Sequence, residues 1–419
     1  MKYIKRSIEE VVKKSEKTFK CILVTGARQT GKSTMLKALF SDRKYVPIDD
    51  PFIEEQAKQN ANMFMMLNPP PVIYDEVQRA PELFRYIKIR CDEENKKGLF
   101  CLSGSQPFEL MKSASESLAG RVSIIELAGL SLREIKNDRF NEPFVPTMEY
   151  VEKRSKTAKP IDDIWQIIHR GSYPELQDKK IDWSSYYSGY VKTYLERDVR
   201  QLSAVQNLDD FRRFMVAAAA RTGQMVNYAN IASEIGKDQG TVKNWMTILE
   251  ASGIIYLLEP FSNSVLKRAI KTPKLYFRDT GLAAYLTRWL TPETLAMGAM
   301  SGHIFETFVI SEILKSYSNK GIDYRYCVSY YRGKDKKIIK RDGSTIERES
   351  EIDLIIEENG MLHPIEIKQN TQVTADETAA FGVLDRIEDK KRGTGAIVCL
   401  CPQPGMLREN VLALPVWFI

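Results

Sequence analysis

The run Gly26-Ala27-Arg28-Gln29-Thr30-Gly31-Lys32-Ser33 sets two glycines, an amine and a hydroxyl at the GxxxxGK[ST] spacing. That pattern is chemistry for binding phosphate. Glycines let the backbone bend so that successive N–H groups point inward at phosphate oxygens, and a helix opening at Lys32 adds partial positive charge. Lys32 is expected to reach the β and γ phosphates of ATP, Ser33 to ligate Mg2+, and Thr34 to extend the binding run. The apolar stretch Cys21 to Thr25 before the motif, and the helical pattern after it, supply the context it requires.

Such a site also needs a carboxylate at the end of a neighbouring buried strand, and Pro71-Val72-Ile73-Tyr74-Asp75-Glu76 offers one. Asp75 is expected to hold the hydrated magnesium, and Glu76 to polarise the attacking water. Having both carboxylates argues for hydrolysis over passive binding. A third apolar stretch, Leu99 to Ser105, ends in hydroxyls. Ser105 is the first choice for contact with the γ-phosphate or the water, with Ser103 and Gln106 as alternatives. Arg121 stands just before the next strand, and its fork suits a phosphate either in cis or as a finger from a neighbouring subunit. The sequence leaves that choice, and homo-oligomerisation, open.

A second set of carboxylates lies near the other end of the chain. Asp353 falls on one expected strand, Glu366 and Lys368 share a face of the next, and the Glu358-Asn359-Gly360 turn joins the two. Two carboxylates can hold magnesium against a phosphate while a lysine stabilises charge. Glu306, on an upstream helix, completes the expected metal set of Glu306, Asp353 and Glu366. A surface ion-pair network is the competing reading. The insert Arg332 to Arg341 carries six Lys/Arg against one Asp and is expected to depart from a tight hairpin, as a basic flap near a phosphate backbone.

These residues resemble known families. The P-loop, Tyr74-Asp75-Glu76, Leu102 to Gln106, Leu118 to Arg121 and Leu130 to Ile135 are similar to a prokaryotic group of AAA-like ATPases that couple this core to a carboxy-terminal domain of unassigned function. In that resemblance the strand ending at Ser105 matches the sensor strand. Further matches at Gly171 to Glu175, Tyr194 to Val199, Tyr276 to Leu282 and Gly302 to Glu306 extend it across most of the chain. The later carboxylates, in the order Asp, Glu, x, Lys, resemble the PD-(D/E)xK nuclease superfamily.

Positioning these groups requires an α/β fold. Short apolar strands alternate with helical patterns from about 20 to 135, which predicts βαβ units and a parallel P-loop NTPase sheet. The middle is mainly helical, with Tyr186, Tyr187, Tyr190, Tyr194 and Leu195 as a packing stripe. Within it, Tyr228 to Ile235 and Thr241 to Glu250 predict a helix-turn-helix, followed by the strand Gly253 to Leu258 of a winged helix. Val242, Trp245, Met246 and Leu249 should face the core, leaving Gln239, Thr241, Lys243 and Asn244 to meet phosphates or bases. Lys267, Arg268, Lys271 and Lys274 fall where a basic wing would lie, although a lysine run is also a common solvated face.

The expected units are an ATPase core at 1–135, a helical lid or linker at 136–205, a winged-helix-like domain at 206–300 and a restriction-endonuclease-like α/β domain at 301–419. The chain's 419 residues suit such a division. A net charge of +6 is too modest to name a partner, so both DNA and protein partners stay open. No apolar run approaches the ~20 residues of a membrane span, no secretory signal is expected, and six cysteines without a CxxC pair suit a reducing cytoplasm.

Overall fold

The computed structural model describes residues 3–105, 117–194, 207–262, 272–339 and 345–419, with the side chains of 194 and 334–348 outside the description. Its first layer is a sheet of β1 (Cys21–Thr25), β2 (Lys44–Pro47), β3 (Val72–Asp75), β4 (Phe100–Ser103) and β5 (Val122–Glu126). The spatial order is β2-β3-β4-β1-β5, and every neighbouring pair is parallel. β1, β3 and β4 are buried at every position, because helices cover both faces of a parallel sheet. Since the strands are parallel, the loop after β1, Asp75 at the end of β3 and Ser103 at the end of β4 share one edge, where α/β sheets place ligands.

In the middle region the helices Leu208–Ala219, Tyr228–Ile235 and Gln239–Ala251 pack with β6 (Gln224–Met225), β7 (Ile255–Leu258) and β8 (Lys274–Phe277). These strands form a separate antiparallel sheet in the order β6-β8-β7. Asn227 caps the second helix, Gly236 ends it at φ 67°, and the Asp238 side chain caps the third. Val242, Trp245, Met246 and Leu249 are buried, as their spacing predicts. Gln239, Lys243 and Asn244 are exposed. Thr241 is half-buried, and its backbone N–H and its hydroxyl both bond the capping Asp238 at the helix start.

The last region opens with the helix Ser301–Ser318 and continues through β9 (Val328–Ile339), β10 (Thr345–Glu358), β11 (Met361–Ile367), β12 (Lys391–Arg392), β13 (Gly395–Cys399), β14 (Gly405–Arg408) and β15 (Val411–Pro415). The order is β14-β15-β13-β11-β10-β9, with β12 beside β11. Asn359 at φ 51° and Gly360 at φ 76° form the two-residue turn expected between β10 and β11. The segment Arg332 to Ile339 corrects the expected flap, since β9 stays paired with β10 out to Ile339 and Thr345 as a long hairpin arm.

One contiguous apolar core runs from Leu132 to Ile419 and includes Trp245, Phe277, Phe305 and Ile365. The expected boundary at 300/301 is therefore a division in sequence across which the core continues. Tyr187 and Tyr190 of the aromatic stripe are buried in this core, whereas the Tyr194 side chain and Leu195 lie outside the described residues. Among the described residues, no helix is long and apolar enough to cross a membrane.

Candidate nucleotide site and a second carboxylate site

The loop after β1 is shaped by what surrounds it. At Gly26, with φ 137°, a Cβ would lie 2.3 Å from the carbonyl oxygen of Leu127, so only glycine fits there. Gln29 and Gly31 also take positive φ, which curls the loop before the helix Lys32–Leu39 begins. Thr30 ties the curl by donating its hydroxyl to the Ala27 carbonyl at 2.9 Å. The Lys32 ammonium is buried against the carbonyls of Gly26 at 3.0 Å and Ala27 at 2.8 Å.

The metal-binding pair expected from the sequence is in register. The Ser33 hydroxyl donates to Asp75 Oδ1 at 2.9 Å, which brings together the two side chains that would hold Mg2+. Asp75 also accepts from Tyr45 and Ser103. Burial, then the bond to Asp75, pushes the Tyr45 phenol up, so it stays a donor. Glu76 stands at φ 54° beyond the strand and accepts from Ser105 at 2.8 and 3.1 Å, and from Gln78. Of the expected sensor residues, Ser105 therefore pairs with Glu76 and Ser103 with Asp75, while Gln106 lies outside the described residues.

A cleft of about 620 Å³ lies over these groups, lined by Arg28, Gln29, Thr30, Gly31, Lys32, Ser33, Thr34, Glu76 and Ser105. Tyr3, Ile4, Arg6, Pro174, Glu175 and Thr193 form the rest of its wall. The size and the donor set fit a nucleotide with magnesium. Arg6 was not legible as a site residue. It is buried, donates to the Thr30 carbonyl at 2.8 Å and to the Ala128 carbonyl at 2.8 Å, and so braces the phosphate loop. In the sequence it is one more charge near the start.

Arg121 corrects the expected phosphate contact in cis. It precedes β5, its carbonyl accepts from Cys21 N–H at the start of β1, and its guanidinium bonds Asp92 at 2.5 Å. The phosphate loop follows the other end of β1, so the length of the sheet separates the two.

The second carboxylate set also converges. Lys368 Nζ lies 2.9 Å from Glu366 and 4.0 Å from Asp353, and Asp353 accepts from the Ile367 N–H at 2.9 Å. Glu306 accepts from the Tyr276 hydroxyl at 2.6 Å. Burial, then the nearby Asp353 carboxylate, pushes Glu306 up to about 7 and Glu366 up to about 8. The set is not an open ligand cage, which corrects the expected metal site. Lys274 enters it from β8, 3.3 Å from Glu306, 2.6 Å from Glu351 and 3.9 Å from Asp353. Among the described residues no group of three or more His, Cys, Asp or Glu is arranged to hold a metal ion.

Lys274 corrects a second expectation. It is 3% exposed, not part of a solvated basic face, while Lys267, Arg268 and Lys271 lie outside the described residues. Burial would lower its pKa, but Glu306, Asp353 and Glu351 more than offset that and raise it, so the ammonium stays charged. The signal was present in the sequence, since Lys274 opens the apolar strand Lys-Leu-Tyr-Phe, in which all four residues are buried.

The sheet order, the phosphate loop and the paired acidic strand define an AAA-like P-loop ATPase domain. In keeping with this, residues 18–136 match the family model described as AAA domain. Residues 161–293 and 301–419 match two domains of unknown function, DUF8612 and DUF4143. An uncharacterized protein of Mycobacterium tuberculosis is 25% identical over 366 residues, covering 87% of this chain and 74% of that one. A Walker-type ATPase of Pyrococcus abyssi aligns over 67% of this chain and 94% of its own, at 12% identity and a TM-score of 0.38. AMPPCP-bound DnaA of Aquifex aeolicus aligns over 58% and 85%, at 15% identity and a TM-score of 0.29.

Proposed function

We propose that this protein is a Mg2+-dependent ATPase that hydrolyses ATP in its amino-terminal cleft and engages DNA through its later regions. The observation that carries the first half is the pairing of Glu76 with Ser105 beside the Ser33–Asp75 pair, in one cleft with Lys32. Ser33 and Asp75 would hold the magnesium ion, which would supply charge neutralisation to the nucleotide's phosphates. Lys32 would leave the loop carbonyls for the phosphate oxygens. Glu76, aimed by Ser105, would take the proton of the attacking water as its oxygen bonds the γ-phosphorus, while the bond from that phosphorus to the β–γ bridging oxygen breaks and ADP leaves with the electron pair.

The DNA half rests on the helix-turn-helix with its three-stranded sheet, read as a winged helix, whose exposed Gln239, Lys243 and Asn244 share one helix. The C-terminal region, with Asp353, Glu366 and Lys368 gathered beside Glu306, is read as a PD-(D/E)xK nuclease-like domain. A second reading is favoured by Lys274: a nucleotide-gated protein-interaction switch whose nuclease-like domain is idle.

Phosphate release from ATP tests the core of the proposal. Lys32→Ala should lower turnover by about 10²- to 10³-fold, the usual effect of removing one group that stabilises transition-state charge. Undiminished turnover would sink the site assignment. Plasmid nicking with Mn2+, lost in both Asp353→Ala and Lys368→Ala, favours the nuclease reading; ATPase activity without nicking or DNA binding favours the switch.

A further inference from the structure

The carboxylate set at the meeting of β8, β10, β11 and the helix Ser301–Ser318 already contains a cation. Glu306, Asp353 and Glu366, with side chains 13%, 15% and 8% exposed, gather there beside the more exposed Glu351, and without compensation their mutual repulsion and the burial of the first three would be costly. Lys368 answers at the outer side, where its side chain is 34% exposed. Lys274 answers from within, with its side chain 4% exposed and its ammonium in reach of Glu306, Glu351 and Asp353.

Lys274 belongs to a different sheet from the carboxylates on β10 and β11. It opens β8 and is paired on both sides, with Met225 of β6 and Leu258 of β7. Its backbone is therefore held, and the side chain reaches across an internal boundary to the acidic strands. Tyr276, two residues on and on the same face of β8, donates to Glu306 at 2.6 Å, so two side chains from one strand satisfy that carboxylate. The Tyr330 ring, whose centroid is 5.5 Å from the Lys274 nitrogen, closes another side.

We propose that Lys274 is the resident cation of this site and holds it closed to divalent metal. A hard divalent ion needs several oxygens converging at about 2.0 to 2.6 Å, and the carboxylate oxygens that would converge instead face the ammonium. The lysine charge also repels a second cation placed among the same oxygens. Metal can then enter only when the β6-β8-β7 sheet or the lysine side chain withdraws. The proposal rests on the nuclease-like reading only in taking Glu306, Asp353 and Glu366 as a cation site; whether that site cuts a phosphodiester is a separate question.

Mn2+ binding followed by electron paramagnetic resonance tests it in the full-length chain. Asp75→Asn is included throughout to remove the nucleotide-site ion. With Lys274 intact, this chain should bind no Mn2+ at the second site; Mn2+ that binds there and is lost on adding Asp353→Asn overturns the proposal. Adding Lys274→Met should create a site for about one Mn2+ per chain, lost again with Asp353→Asn. Lys274→Arg, which keeps the charge, should stay metal-free. A folded Lys274→Met chain that binds no Mn2+ also overturns the proposal, and if that variant does not fold, the Lys274-intact arm still decides. Mn2+ binding by Lys274→Met without plasmid nicking supports the lock and removes the nuclease reading.

Discussion

Glu76 stands at φ 54°, a backbone angle uncommon outside glycine and asparagine, immediately beyond a buried strand. Strain of that kind is retained where surrounding contacts hold it, and here Ser105 and Gln78 both donate to the carboxylate. The Ser105 hydroxyl is the more informative of the two, because it comes from just beyond the neighbouring strand β4 and lines the same cleft. A hydrogen bond to a charged group contributes about 1.5 to 3 kcal/mol, so Ser105→Ala should slow ATP turnover by roughly 10- to 100-fold. Binding of a fluorescent ATP analogue should change little, since the hydroxyl aims the base and is not needed for the phosphate cradle. Equal losses in affinity and turnover would show that Ser105 grips nucleotide and does not orient Glu76. Glu76→Gln gives the complementary result, in which nucleotide stays bound while single-turnover hydrolysis fails.

Secondary elements carry the second level of control, and one of them touches the phosphate loop from outside the ATPase sheet. Gly253, just before β7, sits at φ 71° with its α-carbon against Ala27: an added Cβ would lie 3.3 Å from the Ala27 nitrogen and 3.5 Å from its Cβ. Gly253→Ala therefore meets both a strained backbone angle, costing about 1 to 3 kcal/mol, and a crowded loop. Lower thermal stability and weaker ATP binding are expected together; calorimetry showing both unchanged would mean that this contact transmits nothing to the loop. The sequence made the strands themselves legible, because β1, β3 and β4 are fully buried and read as unbroken apolar runs. It also located Asp353, Glu366 and Lys368, because a two-residue Asn-Gly turn fixes which residues of β10 and β11 lie opposite each other. The contact of Gly253 with Ala27 was not legible, since it joins positions far apart in sequence through backbone shape alone. Lys274 was half legible: three neighbouring basic residues made it look like part of a solvated run, although it opens an apolar strand, and the pairing of that strand turns it inward.

Across the whole molecule, the amino-terminal core is joined to the later regions by an ion pair at the surface and by a buried pair beneath it. Arg278, four residues beyond Lys274, pairs with Glu126 at the end of β5 and stacks its guanidinium 4.2 Å from the Tyr256 ring centroid. Deeper in, Glu312 of the helix Ser301–Ser318 accepts from the Leu132 N–H at 2.7 Å, and Lys315 of the same helix donates to the Leu130 carbonyl at 3.0 Å. The two side chains pair with each other at 2.8 Å and are 4% and 3% exposed. One helix thus carries Glu306 toward the second carboxylate site and, about two turns later, grips the segment leaving the ATPase sheet. Replacing one member of a buried pair leaves the other charge uncompensated, at a cost of about 3 to 5 kcal/mol, whereas replacing both removes most of that penalty. Lys315→Met should accordingly lower the midpoint of chemical denaturation markedly, and adding Glu312→Gln, which keeps an acceptor for the Leu132 N–H, should recover a large part of the loss. If the double variant is less stable than Lys315→Met alone, the pair is not what holds these regions together. If the denaturation curve of Lys315→Met instead separates into two transitions, with ATP protecting only the amino-terminal core, the helix is the joint across which the two regions cooperate.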